Sequence, residues 1–173
     1  EKVAEIFMST PDESWNLLMQ WDVDYVVVFV AAQRLDGDWN GDSLYVLNGG
    51  GDESKKSWFM RIANVELSKY LESDGIIGSN YFWNETLLGK MIPYSILLYY
   101  NDNTQQSFET FQNGSVPISV LDINYDDDGN YPLKLVHASP GFTNKNLDRF
   151  NAVLVYEVNK NYILDVPIID TVN

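Results

Sequence analysis

The chain has 173 residues, close to the length of one domain. Its 11 basic and 25 acidic side chains give a formal net charge of −14. This charge excludes a nucleic-acid partner, which needs a basic face, and disfavours adsorption to anionic membranes. Cysteine is absent, which excludes disulfides, thiolate metal sites and a cysteine nucleophile. Apolar residues make up 45% of the chain, enough to predict a folded core.

The first half of the chain predicts helices around one strand. Thr10-Pro11-Asp12-Glu13 predicts a helix start, because the threonine can cap the helix and the glutamate can close a capping box. The apolar face of this helix carries Trp15, Leu18 and Met19. The unbroken apolar run over 25–30 is rich in β-branched residues, which predicts a strand buried on both faces.

After a polar segment over 33–51, which predicts a loop, further helices are expected. They cover 52–64, with Asp52 as the cap, then 65–71, and finally 79–91, which Pro93 ends. In the first of these, Trp58, Arg61 and Ile62 lie on one side.

From residue 94 the apolar period changes to two, which is typical of strands. Strands are predicted over 96–100, 107–112, 116–125, 131–138, 152–158 and 162–168. The fold class is therefore α+β: a helical front half with a buried strand, packed on an antiparallel β-rich C-terminal half. We expect a mostly helical unit over 1–93 and a β-rich unit over 94–173, together forming one compact domain.

Few side chains are arranged for catalysis or metal binding. His137 is the single histidine, and no Gly-x-Ser-x-Gly elbow accompanies it, so a structural role is favoured over a catalytic one. The segment 36–42 places oxygen ligands at Asp36, Asp38, Asn40 and Asp42, as a calcium loop does, and 124–129 is a second such run. Both lack the closing acidic ligand, so ordinary turns are the favoured interpretation.

Two Asn-x-Ser/Thr sequons occur, at Asn84 and Asn113. A sequon is an N-glycosylation acceptor only on an exocytoplasmic protein. Asn84 falls in a predicted helix and Asn113 in a predicted turn, so Asn113 is the better candidate.

The segment 52–62 reads Asp-Glu-Ser-Lys-Lys-Ser-Trp-Phe-Met-Arg-Ile. Asp52 and Lys55 are three residues apart and so share one helical face, with Phe59 one turn further along. Spacing alone favours the ordinary interpretation, in which a capping aspartate and a surface lysine precede an apolar core stripe.

This segment nevertheless resembles the Asp-x-x-Lys helix motif of the catalytic subunit of oligosaccharyltransferase. The stretch 21–28 is similar to the buried strand that precedes the motif in that family, and 86–92 is similar to the helix that follows it. The likeness is greatest to archaeal members and covers about residues 1 to 100.

The resemblance implies an enzyme that transfers an oligosaccharide from a lipid carrier to the asparagine of Asn-x-Ser/Thr sequons. It implies acceptor-peptide binding by Asp52, Lys55, Phe59 and Met60, in a domain on the exocytoplasmic face of the membrane. The catalytic Mn²⁺ or Mg²⁺ and the lipid-linked donor would bind a membrane portion outside this chain. The chain alone is therefore expected to be inactive, and its expected partners are sequon-containing proteins.

Two departures from the family pattern stand out. The family's Trp-Trp-Asp-Tyr-Gly motif is absent from this chain, and in the family it would lie shortly before the position of Glu1. The absent motif and the missing initiator Met together suggest that the chain is a fragment. Phe59 occupies the position where the family usually has Met or Ile, and Met60 comes next.

Two functions of other classes remain open. One is a secreted or cell-surface β-rich module that binds glycans or proteins, with Trp39, Tyr45 and Trp83 as stacking platforms. The other is a hydrolase that uses acidic residues, for which no nucleophile or base is recognisable.

Overall fold

The computed structural model describes residues 1–34, 44–46, 51–76, 78–92, 97–101, 106–110, 130–144, 146–147 and 149–164. Within these residues lie seven α-helices: α1 Lys2–Met8, α2 Pro11–Gln20, α3 Lys56–Ala63, α4 Leu67–Tyr70, α5 Asn80–Glu85, α6 Leu87–Met91 and α7 Pro140–Thr143. The same residues form six strands: β1 Tyr25–Arg34, β2 Leu44–Val46, β3 Leu97–Asn101, β4 Gln106–Thr110, β5 Leu133–Ala138 and β6 Arg149–Val158.

Four of the strands form one antiparallel sheet in the order β2-β1-β6-β5, and β3 pairs with β4 in a separate hairpin. The central pairing joins β1 to β6 along nine residue pairs, from Tyr25 opposite Glu157 to Gln33 opposite Arg149. One sheet therefore combines strands from both halves of the chain. The α+β class predicted from the sequence is confirmed.

The core lies between the helices and one face of this sheet. That face carries the alternating side chains of β1 and β6, among them Val28 opposite Leu154, both with no exposed surface. The helices cover it with large apolar side chains, namely Phe7, Leu18, Met60, Phe82, Leu87, Leu88 and Met91. The Tyr156 hydroxyl donates a 2.6 Å hydrogen bond to the Met91 carbonyl, which ties the helical layer to the sheet.

The prediction that β1 is buried on both faces is wrong. Val26, Val28 and Val30 are buried, whereas Tyr25 and Val27, which point the other way, are each more than half exposed. The reason is that the described helices pack against one face of the sheet. A run that is apolar at every position cannot indicate which face the helices will cover.

The capping box of α2 is confirmed. The Thr10 hydroxyl accepts from the Glu13 backbone N–H at 3.4 Å, and the Glu13 carboxylate accepts from the Thr10 N–H at 3.1 Å. Leu18 is buried, and Trp15 and Met19 pack against the same core, as the apolar spacing predicted.

Several predicted boundaries change. The predicted loop over 33–51 contains the end of β1 and all of β2, and α7 was not predicted. The helix expected over 65–71 is the single turn α4. Residues 162–164 of the predicted strand over 162–168 are not in a strand, and the strand predicted over 116–125 lies outside the described residues.

The helix predicted over 79–91 is broken at Thr86. Thr86 has an extended backbone, its hydroxyl donates to the Phe82 carbonyl at 2.7 Å, and it accepts from the Gly89 N–H at 3.0 Å. Thr86 therefore ends α5 and caps α6. Gly89 makes the tight corner possible, since a Cβ at this position would lie 2.1 Å from the Phe82 carbonyl oxygen.

We expect Gly89→Ala to lower the free energy of unfolding by about 1–3 kcal/mol, because the added methyl overpacks the corner. The neighbouring Lys90→Ala, at a half-exposed position, should change it by no more than about 0.5 kcal/mol. Denaturant titration of both variants measures the difference, and equal stabilities would contradict the packing argument.

A second prediction concerns alkaline pH. Burial, reinforced by the charge of Tyr81, raises the pKa of Tyr70. Its ring packs edge-on against that of Tyr81 with centroids 5.1 Å apart. The folded chain therefore retains this proton at a pH where the unfolded chain has lost it, so the free energy of unfolding should fall as the pH rises above about 10. Tyr70→Phe should flatten this decline, and an unchanged slope in denaturant titrations between pH 8 and 11 would contradict the assignment.

Candidate functional site

The candidate site is the corner that joins residues 51–55 to α3, and it is anchored on strand β1. The Asp52 backbone N–H donates to the Phe29 carbonyl, and the Asp52 Oδ2 accepts from the Phe29 N–H, both at 2.7 Å. Among the described residues, strand β2 pairs with β1 at residues 32–34, and Asp52 supplies hydrogen-bond partners to β1 at Phe29. The Asp52 side chain therefore provides a hydrogen-bond partner for the backbone of a strand and not for the first turn of a helix.

Gly51 allows this close approach. Its φ of +72° lies in the left-handed region, and a Cβ there would lie 2.7 Å from the Phe29 carbonyl oxygen and 2.8 Å from the Ala31 nitrogen. A larger residue would push the corner away from the strand.

The predicted pairing of Asp52 with Lys55 is present. The Lys55 Nζ donates to the Asp52 Oδ1 at 2.7 Å. The Asp52 side chain is 14% exposed and that of Lys55 is 59% exposed. Of the three Nζ–H donors of the lysine, the described residues engage one, which leaves two directed to solvent.

The predicted helix over 52–64 starts differently from expected. Residues Glu53–Lys55 form a 3-10 turn, and α3 follows from Lys56 to Ala63. The Asp52 side chain makes no cap hydrogen bond, so the prediction that it caps a helix is wrong. Its carboxylate binds Phe29 and Lys55 instead.

A second ion pair, one residue further along, was not predicted. Glu53 and Lys56 are hydrogen-bonded to each other, and both side chains are buried. The sequence contains the same i, i+3 spacing twice, in Asp52-x-x-Lys55 and Glu53-x-x-Lys56. Spacing cannot indicate which pair faces the core, and the structure buries the second and exposes the lysine of the first.

The two apolar residues assigned to acceptor binding lie differently in the fold. Phe59 is half-buried, and its ring centroid is 5.3 Å from that of Phe7 on α1. Met60 is fully buried in the core, so its side chain does not reach a surface on which a peptide could lie. The expectation that Met60 contacts the acceptor peptide is therefore wrong, and Met60 packs in the core instead.

The exposed side of α3 carries two apolar residues, Trp58 and Ile62. Their spacing predicted that they share one side of the helix, but they were not predicted as site residues. Trp58 is 69% exposed and Ile62 is 43% exposed, three and seven residues after Lys55. Exposed tryptophan is uncommon on an ordinary solvated helix face. Trp58 lies three residues after Lys55, and this spacing could have identified it in the sequence as a residue of the site.

The remaining candidates do not join this corner. His137 is exposed on β5, beside the irregularity at which β5 shifts register against β6. Asp36, Asp38, Asn40, Asp42 and Asn113 lie outside the described residues. In the part of the chain that the structure describes, no three His, Asp or Glu side chains are grouped to hold a metal ion.

Trp83 was a candidate stacking platform, and the structure excludes that role. The side chain is 4% exposed and packs edge-on against Phe82 with ring centroids 4.9 Å apart. Trp39 lies outside the described residues, as does the side chain of Tyr45.

The corner therefore places a positively charged hydrogen-bond donor, the Lys55 ammonium group, beside an apolar surface. Lys55 supplies N–H donors for a carbonyl or hydroxyl oxygen, and Phe59 and Trp58 supply apolar surface on the same short helix. Such a surface can bind and orient a ligand.

Comparison with protein-family profiles finds no match for this chain, and comparison with curated proteins finds no significant relative. Among the described residues, no helix is long and apolar enough to cross a membrane.

The anchoring role of Asp52 can be tested by substitution. Asp52→Ala should expose the Phe29 N–H to solvent and lower the free energy of unfolding by about 1 kcal/mol. Asp52→Asn keeps an oxygen for that N–H and should cost less. Hydrogen exchange at the Phe29 amide should be fast in the alanine variant and slow in the asparagine variant, and equal protection in both would refute the anchor.

Proposed function

We propose that this chain is the exocytoplasmic acceptor-recognition part of a membrane oligosaccharyltransferase. The whole enzyme would transfer a lipid-linked oligosaccharide to the asparagine of Asn-x-Ser/Thr sequons. The observation that carries the proposal is the Asp52–Lys55 pair, which is fixed on the backbone of β1 and leaves the lysine largely exposed.

The chemistry of a sequon fits what this corner offers. The hydroxyl of the sequon Ser or Thr accepts hydrogen bonds, and threonine adds one methyl group beside it. Lys55 would donate to that hydroxyl or to a neighbouring backbone carbonyl, while Phe59 supplies apolar contact. Because Met60 is buried, Trp58 is the better second apolar candidate.

The contribution to catalysis would be positioning. Holding the acceptor asparagine against the donor converts an encounter of two substrates into a reaction within one complex. Mn²⁺ or Mg²⁺ and the lipid carrier would bind a membrane portion outside this chain. The chain alone would then bind acceptor peptides without transferring sugar.

The rival proposal, a surface module that binds glycans or proteins, loses Trp83 as a stacking platform and gains two exposed aromatic residues. Trp21 and Tyr25 are both more than half exposed and lie in the segment that enters β1. A glycan-binding module would lose affinity for immobilised oligosaccharides on Trp21→Ala and would be insensitive to Lys55→Ala. The transferase proposal expects the opposite sensitivity towards acceptor peptides.

The decisive test replaces Lys55 in the full-length enzyme. A hydrogen bond to a charged group contributes about 1.5–3 kcal/mol, so Lys55→Ala should lower kcat/KM for an Asn-x-Thr peptide roughly 10- to 100-fold. A matched control is Lys2→Ala, which removes another exposed lysine paired with an acid three residues away. Loss of transfer in both variants, or in neither, would contradict the assignment of Lys55.

A further inference from the structure

The sequon Asn84-Glu85-Thr86 lies at the corner between α5 and α6, and its two functional side chains have opposite environments. The Asn84 side chain is exposed and makes no hydrogen bond with any residue that the structure describes. Thr86 has no exposed surface at all. The amide that would receive a sugar is accessible, whereas the hydroxyl that defines the motif is hidden.

The Thr86 hydroxyl is also fully engaged. It donates to the Phe82 carbonyl and accepts from the Gly89 N–H, and these two bonds end one helix and begin the next. The following residue is tied to another element, since the Leu87 N–H donates to the Ser9 carbonyl at 2.8 Å. Leu87 and Leu88 are themselves fully buried.

Presenting this hydroxyl to an enzyme therefore requires the corner to open. Opening breaks the hydrogen bonds of Thr86 and moves the buried side chains of Leu87 and Leu88 into water, both of which are unfavourable. A transferase that distinguishes Asn-x-Thr from other tripeptides must contact the threonine, so the folded corner cannot be its substrate.

We propose that Asn84 is an N-glycosylation site that is modified only before this corner folds. The donor is a lipid-linked oligosaccharide. A bond forms between the Asn84 amide nitrogen and the anomeric carbon of the first sugar, while the bond from that carbon to the carrier phosphate breaks. An enzyme base removes the amide proton, and the carrier leaves as its phosphate or pyrophosphate. The glycan then extends from an exposed position and leaves the core intact.

This inference rests on the exocytoplasmic location in the proposed function but not on the acceptor-recognition role, because any sequon-specific transferase can supply the activity. The experiment translates the chain behind a cleavable export signal, with Asn113→Gln so that one sequon remains. Microsomes that contain endogenous lipid-linked donor are added either during translation or, opened with detergent, after the chain has been released and has folded. Mass spectrometry of the peptide that contains Asn84 measures occupancy.

We expect Asn84 occupancy to be at least tenfold higher when microsomes are present during translation. A matched control sequon is created by Glu72→Asn with Asp74→Thr in an exposed described turn, and it should be modified under both conditions. Thr86→Val should abolish modification of Asn84 in the nascent chain.

Two results would overturn the proposal. One is equal occupancy of Asn84 in the folded and nascent chains, while the control sequon reports an active transferase. The other is no occupancy in the nascent chain. The glycosylated protein should melt within a few degrees of the unmodified one, because the glycan extends from an exposed side chain.

Discussion

The pairing of β1 with β6 is the interaction on which the rest of the described structure depends. Its nine-pair register places Val26, Val28 and Val30 on the same face as Tyr156, Leu154 and Ala152. This face is the surface that the helices cover. A slip of one residue would turn every one of these side chains to the other face, so the register and the core are specified together.

The candidate site inherits its geometry from the same strand. The Asp52 carboxylate binds the backbone of Phe29 and also the ammonium group of Lys55. Two successive hydrogen bonds therefore link the lysine to β1, an inner strand of the sheet. Each lysine of the corner has an acid three residues before it, and the four charges cancel within a chain of net charge −14. Under the proposed function, Lys55 would therefore act through directed hydrogen bonds at short range and would contribute little to long-range steering.

The sequence predicts well the features that neighbouring residues decide. The capping box of Thr10 and Glu13 is such a feature, because donor and acceptor are three residues apart. Distant partners decide the features that were missed. Asp52 resembles a helix cap, but its carboxylate accepts from the N–H of Phe29, 23 residues earlier. Thr86 resembles a helix interior, but the next residue is tied to a distant element, since the Leu87 N–H donates to the Ser9 carbonyl. Likewise, the buried Glu53–Lys56 pair has the same i, i+3 spacing as Asp52 and Lys55 but was missed, because its burial depends on where α3 lies.

The position of β6 along the chain also sets the order of events during synthesis. The partners of β1 are translated about 120 residues later, which at 5–20 residues per second takes roughly 6–25 s. During that interval the apolar run of β1 is without its main neighbour, and the helices that pack on the completed sheet lack their surface. The apolar surface of the first half of the chain therefore stays uncovered for those seconds, and the synthesis of β6 ends that period.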